Sequence, residues 1–496
     1  MPFGLISLVG AGMDRLELNA LLDGYKKKGV PLSTVVRIML VNALEGGNSM
    51  NSNAERMRSP LAREYLSGGK AVSQKTMNRA LEDLDLWFEE IIDHLWTRVN
   101  ELYRFETTDV YVDGSHIVRY GLKGGLTRFG EGAGKVQPQV QFMVAQLIGS
   151  GIPVAVEAYP GNLNDPPQYD DFIAQLMFLL KKGSMIVMDH GGSSKDLLDV
   201  ITDEGMRYLT RKSLNTSDID RIRDEIGSLE YVGDGTACIK HVFKDSGRTT
   251  YLFFSDSMYM RGRMIAERSA MRAAEDLKGA RETAEDPKVS KLVKVSKNPF
   301  YDVADVKCTI QMKLNPWVEE DLEAAADELS GETCGWFKLE CSEDLPSEEA
   351  LSIYRHRTDI EHLISSMKSV VHIKPLRVWN DASVRGAILL VFIAQLMVSM
   401  LRYDMDRLAT GRSAGADPAS RREAEGKPSP KAIVDSLGHL TVTLVSREDG
   451  GFDEIYSNLE PLNTELMNII EHKWHYSVYN KTHKRGRGPR QTRLRV

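Results

Sequence analysis

A chain of 496 residues with 63 Lys and Arg against 70 Asp and Glu carries a formal charge of -7, and at that length there is room for about three domains with ample core. A mildly acidic total excludes a histone-like or coating protein, so any contact with nucleic acid has to come from local basic surfaces. Cys238, Cys308, Cys334 and Cys341 lack the paired CxxC spacing of a zinc site and read as reduced thiols.

The first residues, MPFGLISLVGAGMDRLE, are briefly apolar but have no basic n-region, so they do not read as a signal peptide. From Met13 to about Tyr103 apolar residues recur at three and four spacing, in LSTVVRIMLVNAL and again in LDLWFEEIIDHLWTRVNEL, which predicts helices. Between them AVSQKTMNRALEDL opens at a Ser73 cap and carries Gln74, Lys75, Asn78 and Arg79 near its start. That pattern is similar to the reading helix of a helix-turn-helix and equally to any solvated helix. Residues 1–105 are therefore expected to form a helical N-terminal DNA-binding domain.

At Thr107 the period becomes strand-like, and TTDVYVDGSH runs through Val110 and Val112 into Asp113 and Gly114, at the strand's C-terminal edge. VQPQVQFMVAQLIG and GIPVAVEAYPGN, separated by the turn at Gly149–Gly151, predict an antiparallel pair that continues a meander. After Pro166 and Pro167, YDDFIAQLMFLLKKG reads as a helix leading into the short strand SMIVMD, which also ends in an acid, Asp189, before Gly191 and Gly192. A helix from Ser194 and the strand RYLTRK complete an alternating β/α unit, the first part of a core over 106–212. The segment 213–346 differs: scattered strands (TTYLFFSD, GWFKLECS), a charged helical run from Met258 to Glu285, and breakers at Pro287 and Pro299 mark a β-rich insertion. Residues 347–408 return to the core, 409–431 shift to Ala, Gly, Ser, Pro and charge as a linker, and 432–496 form a C-terminal region. The apolar run Ala387–Leu401 contains Gln395 and Ser399 and falls short of the roughly 20 residues of a membrane helix. It is expected to be buried core in a cytoplasmic, nucleoid-associated protein with no membrane partner.

Ser347 to Ser369 reads as one helix with a Ser cap and Glu348 and Glu349 in its first turn. At about 100° per residue, Tyr354, Arg357, Glu361 and Lys368 share a polar stripe. An ordinary surface face with intrahelical ion pairs is the alternative. Asp113 and Asp189, each following an apolar strand and preceding a turn, with Glu361 from a packed helix, make an all-oxygen set suited to Mg²⁺ or Mn²⁺. Two such ions about 4 Å apart suit phosphodiester chemistry. The tail KTHKRGRGPRQTRLRV holds seven cations, among them Lys484, Arg485 and Arg487, and no acid, which suits phosphate contacts or a solubilising tail.

The spacing Y-x2-R-x3-E-x6-K at Tyr354, Arg357, Glu361 and Lys368 resembles the signature of insertion-sequence DDE transposases of the IS-four-like superfamily. VDGSH and VMDHGGSS resemble that family's segments carrying its first and second aspartates, and AYPGNLND its Gly-Asn-x-x-Asp segment, so the likeness spans about Thr107 to Arg377. Two positions depart from the pattern: His190 follows the second Asp, where Arg is frequent, and Leu363, Ile364 and Ser365 stand where Phe-Arg is common. The resemblance implies an α/β fold with an RNase H-like core interrupted by the insertion, and catalytic, metal-binding Asp113, Asp189 and Glu361 with two Mg²⁺ ions, which Mn²⁺ can replace. It also implies that Tyr354, Arg357 and Lys368 hold the DNA end, the cations through phosphate and away from the metals. The implied function is cut-and-paste transposition on terminal inverted repeats and target DNA by a homodimer when DNA-bound. An RNase H-like nuclease without strand transfer and a catalytically silent DNA-binding relative remain as alternatives.

Overall fold

The computed structural model describes residues 2–119 and 124–284 (apart from 27, 48, 133, 134 and 246), 301–303, 312–314, 326–371 (apart from 328), 378, 380–410, 427–446 and 452–476. The basic tail with Lys484, Arg485 and Arg487, and Cys308, lie outside the described residues. The chain divides into two units, Met1–Tyr208 with Arg355–Val496, and Leu209–Tyr354.

In the first unit, among the described residues, seven helices precede the first strand: α1 (Phe3–Arg15), α2 (Leu18–Tyr25), α3 (Leu32–Leu44), α4 (Met50–Arg56), α5 (Pro60–Ser67), α6 (Gln74–Leu86) and α7 (Phe88–Tyr103). The helical region thus starts ten residues earlier than the periodicity from Met13 indicates. α1 is buried along almost its whole length, which hides an amphipathic pattern. It also depends on close approach: a Cβ on Gly4 would stand 2.5 Å from the Leu437 carbonyl oxygen. α6 starts at Ser73, whose hydroxyl accepts from the Thr76 amide at 3.2 Å. It buries Met77, Ala80, Leu81 and Leu84 and leaves Lys75 and Arg79 exposed.

A mixed sheet follows, built from β1 (Val110–Val118), β2 (Arg128–Gly132), β3 (Lys135–Leu147), β4 (Pro153–Pro160) and, after α8 (Asp165–Leu179), β5 (Met185–Met188). β3 is the antiparallel hub: it pairs with β1, β2 and β4, with Val144 facing both Asp113 and Val156. β1 in turn pairs in parallel with β5. After β5 come α9 (Lys195–Asp203) and the start of β6 (Arg207–Lys212). On returning to this unit the chain forms α13 (Thr358–Ser369), α14 (Asp381–Thr410), α15 (Pro430–His439), the hairpin β13 (Thr441–Ser446) and β14 (Phe452–Ser457), and α16 (Pro461–Asn468). α14 extends well beyond the 387–401 run and, contrary to the length expected for it, is apolar and long enough to cross a membrane, yet 89% of its most apolar window is buried inside the protein itself, in line with a core helix. Near its end the fully buried Asp404 accepts from Trp474 Nε1 (2.7 Å) and Tyr103 Oη (3.1 Å) and pairs with Lys473 (2.9 Å). That network ties the C-terminal segment and α7 to the helix.

The second unit encloses the segment that composition sets apart at 213–346. Its strands β7 (Glu230–Gly233), β8 (Thr236–Val242), β9 (Thr249–Ser255) and β12 (Trp336–Cys341) form an antiparallel run β12-β9-β8-β7, and β12 also pairs with Leu209–Lys212 of β6. Ile222 of α10 (Thr216–Glu225) joins Ile239, Leu252 and Trp336 in its core. Lys338, 7% exposed, meets both oxygens of Asp218 at 3.1 and 2.9 Å. The long α11 (Asp256–Ala284), the short pair β10 (Tyr301–Val303) and β11 (Met312–Leu314), and α12 (Ser347–Arg355) complete the described part of this unit.

Candidate active site

The parallel ladder between β1 and β5 pairs Val110 with Ile186, Tyr111 with Val187 and Val112 with Met188. Both strands are buried on this stretch, which is why each reads as a continuous apolar run. The next residues are Asp113 and Asp189, so two carboxylates leave the same end of the parallel ladder side by side. The start of the ladder is held by polar contacts: Thr108 Oγ1 lies 2.6 Å from Ser184 Oγ and accepts from the Lys181 amide at 2.7 Å, and Asp109 accepts from the Met185 amide at 2.7 Å. Asp113 is not, however, at the end of its strand. β1 continues to Val118 because its other edge stays paired with β3, from Asp113 opposite Val144 to Val118 opposite Gln139.

The two aspartates make matching local contacts. Asp113 Oδ1 accepts from the Gly114 amide at 2.8 Å, and Asp189 Oδ1 accepts from the His190 amide at 2.7 Å, capping the short turn His190–Gly192. That turn needs Gly192, since a Cβ there would lie 2.7 Å from both the Tyr169 ring and the Met188 sulfur. With one oxygen on its own backbone, each carboxylate offers the other to a single guanidinium: Arg357 Nη1 is 3.2 Å from Asp113 Oδ2, and Nη2 is 3.3 Å from Asp189 Oδ2. Nη2 is also 3.1 Å from Glu361 Oε1. Arg357 therefore faces all three acids.

The helix carrying Glu361 is also not one piece from Ser347 to Ser369. It breaks at His356 and Arg357 into α12 and α13. The Asp359 amide reaches back to His356 O (2.9 Å) and the Ile360 amide to Arg357 O (3.1 Å), closing turns tighter than an α-helix, while the Thr358 hydroxyl takes the Arg355 carbonyl at 3.3 Å. A β-branched residue with a competing hydroxyl at the joint accounts for the break. Tyr354 consequently lies on α12, within Leu209–Tyr354, whereas Glu361 and Lys368 lie on α13. α13 buries Ile360, Leu363, Ile364 and Met367. It is pinned to α14 by the buried pair Ser366 Oγ to Gln395 Oε1 at 2.7 Å, and Gln395 Nε2 donates to Ser399 Oγ at 3.2 Å. Lys368, two turns past Glu361, donates to the hydroxyl of Ser115 and lies with its amine 5.9 Å from the centre of the Phe142 ring. Ser115 is two residues past Asp113 on the same strand face, so Lys368 reaches the strand that carries the first acid. Periodicity did not single out Ser115, because a lone Ser in a strand carries no pattern.

Exposure rises across the cluster, from 14% for the Arg357 side chain through 21% for Asp113 and 39% for Asp189 to 53% for Glu361. Burial pushes the Asp113 carboxyl up from its ordinary range; the Arg357 charge and the Gly114 amide pull it down, and Asp189 and Glu361 push it up again. Three carboxylates share one guanidinium, a surplus of acid around a half-buried Asp113. The donor set is all oxygen, which fits a hard divalent cation. Among the described residues no group of three or more acids, histidines or cysteines stands close enough to hold an ion as it is.

The model of the family described as "Transposase DDE domain" matches residues 105–397. No curated protein matches the chain. Among solved structures, the chain is similar to the cryo-EM structure of the piggyBac transposase synaptic complex with hairpin DNA, at 10% identity and a TM-score of 0.41, over 88% of this chain and 79% of that one. A likeness that distant carries no argument about the chemistry of this chain.

Proposed function

The chain belongs to the transposase DDE-domain family, and from that premise we propose that it is a cut-and-paste DNA transposase of the IS-four-like type with an RNase H-like core. The observation that carries this reading is that Asp113, Asp189 and Glu361, from two strands and a helix far apart in sequence, all meet the guanidinium of Arg357. The strand order β4-β3-β1-β5 with β3 antiparallel supports the RNase H-like part. Asp113, Asp189 and Glu361 would hold two Mg²⁺ ions, or Mn²⁺ in their place. Such ions, when bound, activate water or a DNA 3′-hydroxyl and stabilise the leaving oxygen of a phosphodiester.

The remaining residues bind and orient. Lys368, anchored over Ser115, would take a phosphate next to the reacting bond, with Arg357 and Tyr354 on the same DNA end. Residues 1–105 would bind DNA, with Lys75 and Arg79 exposed on α6, and 213–346 would be an insertion in the core formed by 106–212 and 347–408. Beyond a linker at 409–431, the tail with Lys484, Arg485 and Arg487 would add sequence-independent phosphate contacts. The working form would be a cytoplasmic, nucleoid-associated homodimer on paired inverted repeats and target DNA.

The test is incubation of the full chain with Mg²⁺ and labelled DNA bearing the sequences that flank its own gene. Excision at the repeat ends followed by joining to a target supports transposition. Cutting without joining makes the chain a nuclease on the same core, and binding without consumption of DNA makes it a silent relative.

A further inference from the structure

Resting on that reading of the carboxylates as a metal site, we infer that Arg357 is their built-in counter-cation. Its guanidinium holds the three acids together before divalent ions arrive and leaves them when ions bind, so that metal loading and arginine release are one event. The planar fork makes this possible: Nη1 takes Asp113 while Nη2 takes Asp189 and Glu361, all between 3.1 and 3.3 Å. A plain i,i+4 pair on a solvated helix would engage Glu361 alone. Here two contacts go to strand residues, and the arginine side chain is only 14% exposed.

The arginine holds carboxylate oxygens that an ion bound by the same acids would also draw on. Asp113 and Asp189 each have their Oδ1 on a neighbouring backbone amide and turn Oδ2 to the arginine. An ion taking those same Oδ2 atoms would stand a few ångströms from the guanidinium and repel it. Arg357 would answer by turning its side chain from a backbone position just before the first turn of α13. The anchors of α13, Ser366 on Gln395 and the buried Ile360 and Leu363, are untouched by that movement. Once released, the guanidinium can take a DNA phosphate beside the metals, so the same residue serves the acids first and the substrate afterwards.

Mn²⁺ binding to the full, DNA-free chain, followed by the loss of the free-ion EPR signal, tests this without any reaction. Arg357→Gln should bind Mn²⁺ more tightly, on the order of tenfold, because an ion no longer displaces a charge. Without metal the variant should melt earlier than wild type, since the acids then repel one another, and saturating Mn²⁺ should raise its melting temperature more than it raises the wild type's. Arg357→Lys, which keeps the charge but not the fork, should fall between the two and carries the test if the Gln variant does not fold. Unchanged or weaker Mn²⁺ affinity in these variants overturns the inference and leaves Arg357 a DNA-holding residue only. Glu361→Gln separates this from failure of the underlying reading. If it weakens Mn²⁺ binding while Arg357→Gln has no effect, the counter-cation alone is wrong; if it leaves Mn²⁺ binding intact, the carboxylates are not the metal site and both fall.

Discussion

Ser366 and Gln395 provide a quantitative check on how the helix carrying Glu361 is held. The two side chains are 5% and 0% exposed and meet at 2.7 Å, with Gln395 passing a second bond to Ser399. Ser366→Ala leaves a buried amide oxygen without its donor and should cost about 1 to 3 kcal/mol, since the penalty is desolvation without compensation. Gln395→Leu should cost less than that at Ser366, because a helix serine can turn its hydroxyl to a carbonyl one turn back. The double variant, apolar on both sides, should recover much of the loss, giving a coupling of about 1 kcal/mol that reports the contact. Urea midpoints at unchanged slope for the two singles and the double measure this. Costs that simply add, within about 0.5 kcal/mol, would mean that α13 is held by its apolar face alone and that the polar tether contributes nothing.

Asp113→Ala, Asp189→Ala and Glu361→Ala should each abolish cleavage of end DNA in Mg²⁺ or Mn²⁺ while end binding in a gel-shift assay persists; comparable cutting by any one would mean the site is misplaced. Lys368→Ala should weaken end-complex formation and cleavage together, more so as salt is raised, in titrations at two salt concentrations, whereas a solvated surface lysine would leave DNA affinity unmoved. Removing Lys481 to Val496 should lower affinity for all duplexes and flatten the dependence of binding on salt, since seven cations without an acid release counterions but read no bases; an unchanged slope would make the tail a bystander. Asp404→Ala should destabilise the chain by about 3 to 5 kcal/mol in urea unfolding, because Lys473 and the hydrogens of Trp474 and Tyr103 lose a shared buried acceptor.

The aspartates were legible because β-strand alternation collapses into unbroken apolar runs where both faces are covered, and the first charged residue after such a run marks its exit. Asp113 and Asp189 stand at those exits in the parallel ladder. The same local signal could not show that β1 continues past Asp113, since that depends on β3, a strand placed alongside by a distant stretch of chain. The helix wheel failed at His356 for a local reason that was readable in principle, a Thr one residue after Arg357 with its hydroxyl on a backbone carbonyl. What no periodicity contains is the direction of the Arg357 side chain. On a wheel it is a cation one turn from Glu361, and only the tertiary fold brings Asp113 and Asp189 to its other side. α1 escaped notice because a helix buried nearly all round has no polar face to give it a period.

Chain order also governs when the acid cluster can assemble. The ribosome delivers Asp113 and Asp189 first, then the entire unit 209–354, and only afterwards Arg357 and Glu361. During synthesis the first strands can pair, but the third acid and the arginine are missing until the intervening unit has been made, and α13 has no Gln395 to rest on until α14 emerges. Translation that stops between Asp189 and Arg357 therefore yields a fragment with two of the three acids and with neither Arg357 nor Gln395.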